Sequence, residues 1–297
     1  MILVAGATGS LGGRITRGLL AQGKPVRVLA RHNPISEELA RQGRANTVQS
    51  LVALGAQAVY ADLKDPASLA VAVAGVDTVI TTATATQRGG ADTVPSVDLQ
   101  GTLNLIEAAK VADINRFIYT SFSSATLDHP VPLFHAKAAC EAALVASNLE
   151  FTILGPAWFM EIWIGMLVGV PLMTGQPISL IDKGDHKHNF VAEADVAAFV
   201  IAAVDNPHAA NQRIGIGGPD SYTWTEIVDT VRRVAGVPLA VNYLPLGSEV
   251  PLLPPEVSAL LNGMETFETF VDMHETAPAY GVRLTALDEF IALMLMR

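Results

Sequence analysis

The chain has little cysteine, few aromatic residues and no run of one charge. Cys140 is the single cysteine among 297 residues, which excludes an internal disulfide and fits a reducing compartment. Nineteen basic against 29 acidic residues give a net charge of −10 without a basic stripe, so we expect no nucleic-acid partner. The longest apolar stretch, 151–172, is broken by Pro156, Glu161 and Pro171, which argues against a membrane span. We therefore expect a soluble, cytoplasmic protein.

Motifs of several enzyme classes are missing as well. The sequence has no Gly-x-Ser-x-Gly elbow and no P-loop lysine, so neither hydrolase nor kinase chemistry is supported. His186 and His188 lie in a charged segment without a cysteine or a third histidine at ligand spacing. We therefore predict no metal site from the sequence.

The first 31 residues carry a strand, a glycine-rich turn, a helix and a second strand. Apolar runs at 2–5 and 26–30 predict the strands, and between them Ile15, Leu19 and Leu20 recur at helical spacing. This is the order of a dinucleotide-binding unit.

Three glycines define the turn between the first strand and the helix. Gly6 lets the chain turn off the strand, Gly9 lets a pyrophosphate approach the backbone, and Gly12 lets the helix pack on the sheet. The first N–H groups of the helix, at its positive dipole end, form an anion site. We therefore predict a dinucleotide-binding site here.

Arg31 follows the second strand directly, and no Asp or Glu occurs from 26 to 36. An acid at this place would favour the ribose 2′-hydroxyl of NAD, whereas a cation suits the 2′-phosphate of NADP. The sequence predicts NADP(H) over NAD(H), with a solvated strand-end arginine as the alternative.

Short apolar runs and helical periodicities alternate as far as residue 155. Strands are predicted at 58–61, 76–80, 116–120 and 151–154, and helices at 36–54, 66–74, 97–112 and 134–147. This alternation predicts an α/β fold with a doubly wound parallel sheet of the Rossmann type, in which ligands bind at the carboxyl ends of the strands. The residues there are the predicted cofactor-binding set: Gly6, Thr8, Gly9, Ser10, Leu11, Gly12, Arg31, Asp62, Leu63, Thr82, Ala83, Thr84, Thr120, Ser121, Gly155 and Pro156.

Two polar residues of the first 155 have two interpretations each. Asp62 could accept a hydrogen bond from the adenine amino group, or it could cap the turn that follows it. Lys137 could bridge the nicotinamide ribose hydroxyls and lower the pKa of a nearby proton donor, or it could be a surface lysine.

The composition changes after Pro156, where prolines and glycines become denser. Trp158, Phe159 and Trp163 cluster without clean periodicity, and they could line an apolar substrate pocket or pack a core. Helices are predicted at 193–205, 224–235 and 286–296, a strand at 213–217 and a loop at 244–255. We predict a dinucleotide-binding domain, 1–155, to which 187–205 returns, and a smaller, irregular α/β substrate lobe, 156–297.

Several longer blocks resemble extended and atypical short-chain dehydrogenase/reductases. They are GATGSLGG, VRVLAR, ADLKD, VDLQGTLNLIEAAKVADINRFIYTSF and KAACEAAL. The resemblance is closer to the NmrA-like branch, which contains isoflavone-reductase-like enzymes, NADPH-dependent quinone and triphenylmethane-dye reductases, and redox-sensing regulators.

The sequence departs from the superfamily at its proton donor. The lysine of the Tyr-x-x-x-Lys pair matches Lys137, but Leu133 stands at the tyrosine position, and Phe122 stands at the serine position. The resemblance implies that Lys137 contacts cofactor ribose and is the catalytic-site lysine.

Two hypotheses follow from this departure. The first is an NADPH-dependent reductase of a small apolar, aromatic acceptor, with Phe122, Trp158, Phe159 and Trp163 lining the pocket. The second is a non-catalytic NADP(H) sensor that acts through a protein partner; a homodimer stays open in either case.

Overall fold

The computed structural model describes residues 1–31, 46–86 and 90–296. The predicted helix over 36–54 falls partly outside this range, and its described part is the helix α2, Val48–Ala53. Within the described residues, no helix is long and apolar enough to cross a membrane.

The chain divides into two compact units. The first comprises 1–155 and 196–215, and the second comprises 156–195 and 216–297. The segment that returns to the first unit is therefore 196–215 rather than the predicted 187–205. Residues 187–195 belong to the second unit because strand β9, His188–Val191, pairs with strands β7, Trp158–Phe159, and β11, Ser221–Tyr222, of that unit.

A seven-stranded sheet forms the centre of the first unit, in the order β10-β6-β5-β4-β1-β2-β3. Neighbours from β6 to β3 run parallel. The strands are β1, Ile2–Ala5; β2, Val26–Ala30; β3, Gln57–Tyr60; β4, Thr78–Thr81; β5, Arg116–Thr120; β6, Glu150–Pro156; and β10, Gln212–Ile216. From β1 the chain adds β2 and β3 on one side of the sheet, and it then adds β4, β5 and β6 on the other side. Sheets of this kind bind ligands at the point where the order reverses, here between β1 and β4. The predicted α/β class with a parallel central sheet is confirmed.

Helices cover this sheet between its strands. They are α1, Ser10–Ala21; α3, Pro66–Val73; α4, Thr102–Val111; and α5, Pro132–Val145. The helix predicted from residue 97 begins earlier, as a π-helix over Val94–Gly101 that runs into α4. Its start is set by Thr93, which forms a capping box with Ser96 and is followed by Pro95 in the first turn.

The second unit contains two small sheets, β11-β9-β7 and a parallel pair, β8, Ile178–Ile181, with β12, Val241–Leu244. Its helices are α6, Met160–Ile164; α7, Val170–Thr174; α9, Trp224–Ala235; α10, Pro255–Met264; α11, Thr276–Ala279; and α12, Leu287–Leu295. Helix α8, Glu193–Asp205, begins in the second unit and belongs to the first unit from residue 196 onward. The segment after Trp158 and Phe159, whose apolar residues show no clean periodicity, is thus helical from 160 to 174. A π-helix over Gly165–Gly169 connects α6 to α7.

Candidate functional site

The glycine turn after β1 has the close packing that its sequence predicts. Gly6 has a φ of +88°, and a Cβ added there would lie 2.7 Å from Thr82 Oγ1. A Cβ on Gly12 would lie 2.2 Å from the Gly6 carbonyl oxygen, too close for any side chain. Helix α1 therefore packs directly against the end of β1 because both positions lack a side chain.

The N-terminus of α1 begins at a glycine. Its N-cap residue is Gly9, which makes no side-chain cap hydrogen bond, and the first turn, with Ser10 and Leu11, contains no acid. Asn46 Nδ2 donates to the Gly9 carbonyl oxygen at 3.1 Å beside this turn. The first N–H groups lie at the positive end of the helix dipole. This geometry fits a pyrophosphate.

One cleft brings six of the predicted cofactor-binding residues together. It lies at the carboxyl ends of β1 to β4 and is lined by Ala5, Gly6, Thr8, Leu29, Arg31, Val48, Asp62, Leu63, Ala83 and Val97. Thr82 and Thr84 follow β4 but do not line this cleft; the Thr84 hydroxyl lies 2.9 Å from that of Thr86.

Arg31 is not an isolated cation in this cleft. Its Nη1 donates a hydrogen bond to Asp92 Oδ2 at 2.8 Å and lies 4.0 Å from Asp62 Oδ2. Lys64 Nζ donates to the other oxygen of Asp92 at 2.7 Å. Two cations and two carboxylates therefore form one cluster without net charge. Asp62 Oδ1 also accepts the Lys64 backbone N–H at 2.9 Å, so it caps the turn.

Asp92 is the site residue that the sequence did not indicate. Its side chain is only 9% exposed, and burial by itself would raise its pKa. Hydrogen bonds from Lys64 and Arg31 outweigh burial and bring the pKa below its ordinary value, so Asp92 is ionised at neutral pH. It lies 61 residues beyond Arg31, and no motif connects the two positions.

Lys137 lies on helix α5, and its side chain reaches the end of strand β5. Its Nζ donates to the Thr120 carbonyl at 3.1 Å and lies 5.4 Å from the centre of the Tyr119 ring. Burial lowers the pKa of Lys137, and the charge of Asp98 opposes this shift. The Thr120 hydroxyl is buried and has no hydrogen-bond partner among the described residues. An ammonium and an unused hydroxyl therefore lie next to each other.

The neighbouring residues of this strand end are closely packed. Ser121 is buried and donates its hydroxyl to Glu141. A Cβ on Gly155 would lie 3.3 Å from the Phe122 carbonyl oxygen, so β6, which ends at Pro156, passes close to the end of β5.

Phe122, the residue after Ser121, belongs to a cluster of stacked rings. Phe122 stacks on Phe134 with centroids 4.2 Å apart, and His129 meets Phe134 edge-on. Burial lowers the pKa of His129, whose Nδ1 accepts the Val131 N–H at 3.0 Å, so this imidazole is neutral at pH 7. His129 was not singled out from the sequence.

The surroundings of Lys137 include one tyrosine ring. Leu133 occupies the second position of α5, one turn before Lys137. Tyr119, whose ring centre lies 5.4 Å from the lysine nitrogen, is 2% exposed, and burial raises its pKa well above the ordinary value. His135 is exposed, with Nδ1 2.6 Å from the Leu127 carbonyl oxygen.

In the second unit, the predicted pocket residues pack against each other. Trp158 and Trp163 are buried and meet edge to face with centroids 4.9 Å apart, whereas Phe159 is half-buried. Glu161 Oε2 accepts the Glu193 backbone N–H at 2.9 Å, at the first residue of α8. Glu161 therefore supports the N-terminus of this helix.

Known proteins with similar sequences carry several different names. A photosystem II assembly factor of Synechocystis sp. is 30% identical over 246 residues, 82% of this chain and 71% of that protein. A phenylcoumaran benzylic ether reductase of Ginkgo biloba is 29% identical over 254 residues, 82% of this chain and 78% of that one.

Two solved structures share the fold. An NADPH-dependent quinone oxidoreductase of Escherichia coli complexed with NADPH has a TM-score of 0.79 at 23% identity, over 99% of this chain and 100% of that one. The Citrobacter sp. triphenylmethane reductase complexed with NADP(H) has a TM-score of 0.80 at 20% identity, with the same coverage. The family model described as the NmrA-like family matches residues 1–291, and the chain belongs to this family.

Proposed function

We propose that the protein binds NADP(H) at the carboxyl edge of the first unit's sheet and transfers a hydride to an apolar, conjugated acceptor. The observation that carries this proposal is the cleft that Gly6 and Thr8 of the glycine turn share with Arg31. Helix α1 starts directly after this turn, and a helix N-terminus suits a pyrophosphate, whereas a cation such as Arg31 suits a 2′-phosphate. The solved structures of similar fold, which are complexes with NADPH and NADP(H), support this choice of nucleotide.

In this proposal Lys137 and Thr120 hold the nicotinamide ribose. The ammonium of Lys137 donates to the Thr120 carbonyl oxygen at 3.1 Å, and the buried Thr120 hydroxyl has no hydrogen-bond partner among the described residues. Two donors fixed in one place suit the two hydroxyls of a ribose. Bound NADPH supplies the hydride, and the residues of the chain fix its position.

The acceptor class follows from Leu133. Reduction of a simple ketone produces an alkoxide that needs a positioned acid, and Leu133 has no hydroxyl to provide one. A cationic dye becomes neutral on accepting a hydride, and a quinone becomes a stabilised hydroquinone anion that water can protonate. The names of the quinone and triphenylmethane reductases of similar fold support this class.

The second unit is proposed to contribute the substrate-binding residues. Trp158, Phe159 and Trp163 would supply its apolar surface, with Phe159 as the most accessible of the three.

A titration with NADPH and NADH, followed by oxidation assays with quinones and triphenylmethane dyes, tests the proposal. Replacing Arg31 by Ala removes charge-assisted hydrogen bonds worth about 1.5–3 kcal/mol. NADPH affinity should therefore fall roughly 10- to 100-fold, while NADH affinity stays within about threefold. Arg233→Ala, which removes an exposed arginine of the second unit, is the matched control and should change neither. Equal weakening of both nucleotides by Arg31→Ala would contradict the assigned role.

A second candidate function is a non-catalytic NADP(H) sensor acting through a protein partner. The relatives named as photosystem II assembly factors, at 28–30% identity, are the reason to test a function other than reduction, although that name describes neither a reductase nor a redox sensor. Tight NADPH binding without oxidation by any acceptor of the panel would support the sensor over the reductase. Failure to bind either nucleotide would refute both.

A further inference from the structure

A second group of polar side chains lies in the second unit, separate from the cofactor cleft. Asp185 and His186 occupy the turn after β8, and Glu265 directly follows α10. One oxygen of each carboxylate and one imidazole nitrogen all lie within 4.8 Å of one another. Three potential ligand atoms thus converge from two segments that are 79 residues apart in the chain.

Glu265 is the unusual member of this group. Its side chain is 1% exposed, and its Oε2 accepts no hydrogen bond from the described residues. Burial raises the pKa of Glu265, and the neighbouring His186 only partly opposes this effect. A buried carboxylate oxygen without a donor is costly, so this position requires a positive partner, which is either His186, whose Nδ1 lies 3.4 Å away, or a bound cation.

His186 presents a second unused atom to the same point. Its Nδ1 is buried and also lacks a hydrogen-bond partner, although it lies 3.4 Å from Glu265 Oε2. The two atoms therefore face each other without the geometry of a hydrogen bond. Asp185 Oδ1 lies 3.7 Å from the same nitrogen.

One of these separations matches the edge of a tetrahedral zinc site. Two ligand atoms about 2.05 Å from a tetrahedral ion lie about 3.3 Å apart. The Nδ1–Oε2 distance of 3.4 Å agrees with this value, and the exposed Asp185 can close the remaining gap by rotating its side chain.

His188 does not belong to this ligand set, although it is close in sequence. Its Nε2 lies 3.0 Å from the Met264 carbonyl and its Nδ1 lies 3.2 Å from the Thr269 hydroxyl, so both nitrogens are engaged. Burial lowers its pKa to about 4, which keeps it neutral. Its contact with the carbonyl of Met264, the residue before Glu265, helps to position the Glu265 carboxylate.

The geometry points to a zinc ion held by Asp185, His186 and Glu265. One imidazole nitrogen and two carboxylate oxygens suit Zn²⁺, and a water molecule completes four-coordination. The ion joins the turn after β8 to the end of α10. This site is independent of the nucleotide-binding function proposed above.

Zinc titration of the full, chelator-treated protein by calorimetry tests the inference. Wild type should bind one equivalent, and both His186→Asn and Glu265→Gln should weaken binding by at least about tenfold. His208→Asn removes an exposed histidine elsewhere and should leave binding unchanged. If Glu265→Gln does not fold, Asp185→Asn, at an exposed position, provides the second ligand variant.

A cobalt-substituted sample gives an independent readout. Tetrahedral Co²⁺ should show visible absorption bands that His186→Asn abolishes and His208→Asn retains. Absence of stoichiometric zinc binding by wild type, or equal binding by wild type and His186→Asn, would overturn the inference. The first result would leave an ion pair of protonated His186 with Glu265 as the explanation of the contact.

Discussion

Replacing Asp92 by Asn should strengthen NADPH binding and leave NADH binding almost unchanged. Asp92 holds Arg31 at 2.8 Å and Lys64 at 2.7 Å, and with Asp62 it brings the charge of this cluster to zero. A 2′-phosphate that binds Arg31 must share the guanidinium with the Asp92 carboxylate. The amide keeps the shape of the side chain and removes its negative charge.

The size of the effect follows from the geometry of the cluster. A phosphate on the far side of the guanidinium would lie about 6 Å from the Asp92 carboxylate, given the 2.8 Å contact on the near side. With an effective dielectric constant of about 50 for this partly exposed cluster, two unit charges at that distance interact by ~1 kcal/mol. NADPH affinity should thus rise roughly fivefold, and more if the phosphate is doubly charged.

Fluorescence titrations with both nucleotides at low and high salt provide the assay. The gain for NADPH should shrink as salt is added, since screening weakens the repulsion that the substitution removes. Asp229→Asn makes the same change of charge at an exposed ion pair of the second unit and serves as the control. Weaker NADPH binding in Asp92→Asn would refute the reasoning, because it would mean that Asp92 chiefly orders Arg31 for the ligand.

Three further substitutions test the site. Gly12→Ala places a Cβ 2.2 Å from the Gly6 carbonyl oxygen and should destabilise the fold by about 1–3 kcal/mol, measured by chemical denaturation; unchanged stability would mean that α1 can shift freely. Lys137→Met removes the donor that lies at the Thr120 carbonyl and should lower the affinity for both nucleotides about tenfold. The ratio of NADPH to NADH affinity should not change; a change in this ratio would place the lysine at the adenosine end of the nucleotide. Leu133→Tyr sets a hydroxyl one turn before that lysine and should introduce slow reduction of simple ketones, measured by NADPH oxidation; wild-type inactivity retained in a folded variant would argue against the proposed site.

The parts of the structure that depend on neighbours in sequence were predictable. Helix α9 spans the predicted 224–235 because Thr223 and Glu226 form a capping box and Gly236 ends the helix with a φ of +67°. The carboxyl-edge residues of β1, β2 and β3 were found in the same way, since the ends of parallel strands meet at one edge.

The remaining features depend on contacts between distant residues. The absence of acids from 26 to 36 suggested an unopposed cation, yet Asp92 reaches Arg31 from 61 residues away. The helical segment 160–174 lacks clean apolar periodicity and contains Pro171, which the structure accommodates in the first turn of α7. Glu265 is brought to His186 only by the folded second unit.

The π-helix over Val94–Gly101 makes the site sensitive to insertions and deletions. A π-helix holds an extra residue per turn relative to an α-helix, so it commonly marks a single-residue insertion. Deleting one residue before Asp98 would restore α-helical phase and rotate that side chain by about 100° around the helix. Asp98 would then lose the Ala85 N–H, which it accepts at 2.9 Å, and the chain after β4 would lose an anchor. The length of this segment, and not only the identity of its residues, therefore determines where Asp98 lies.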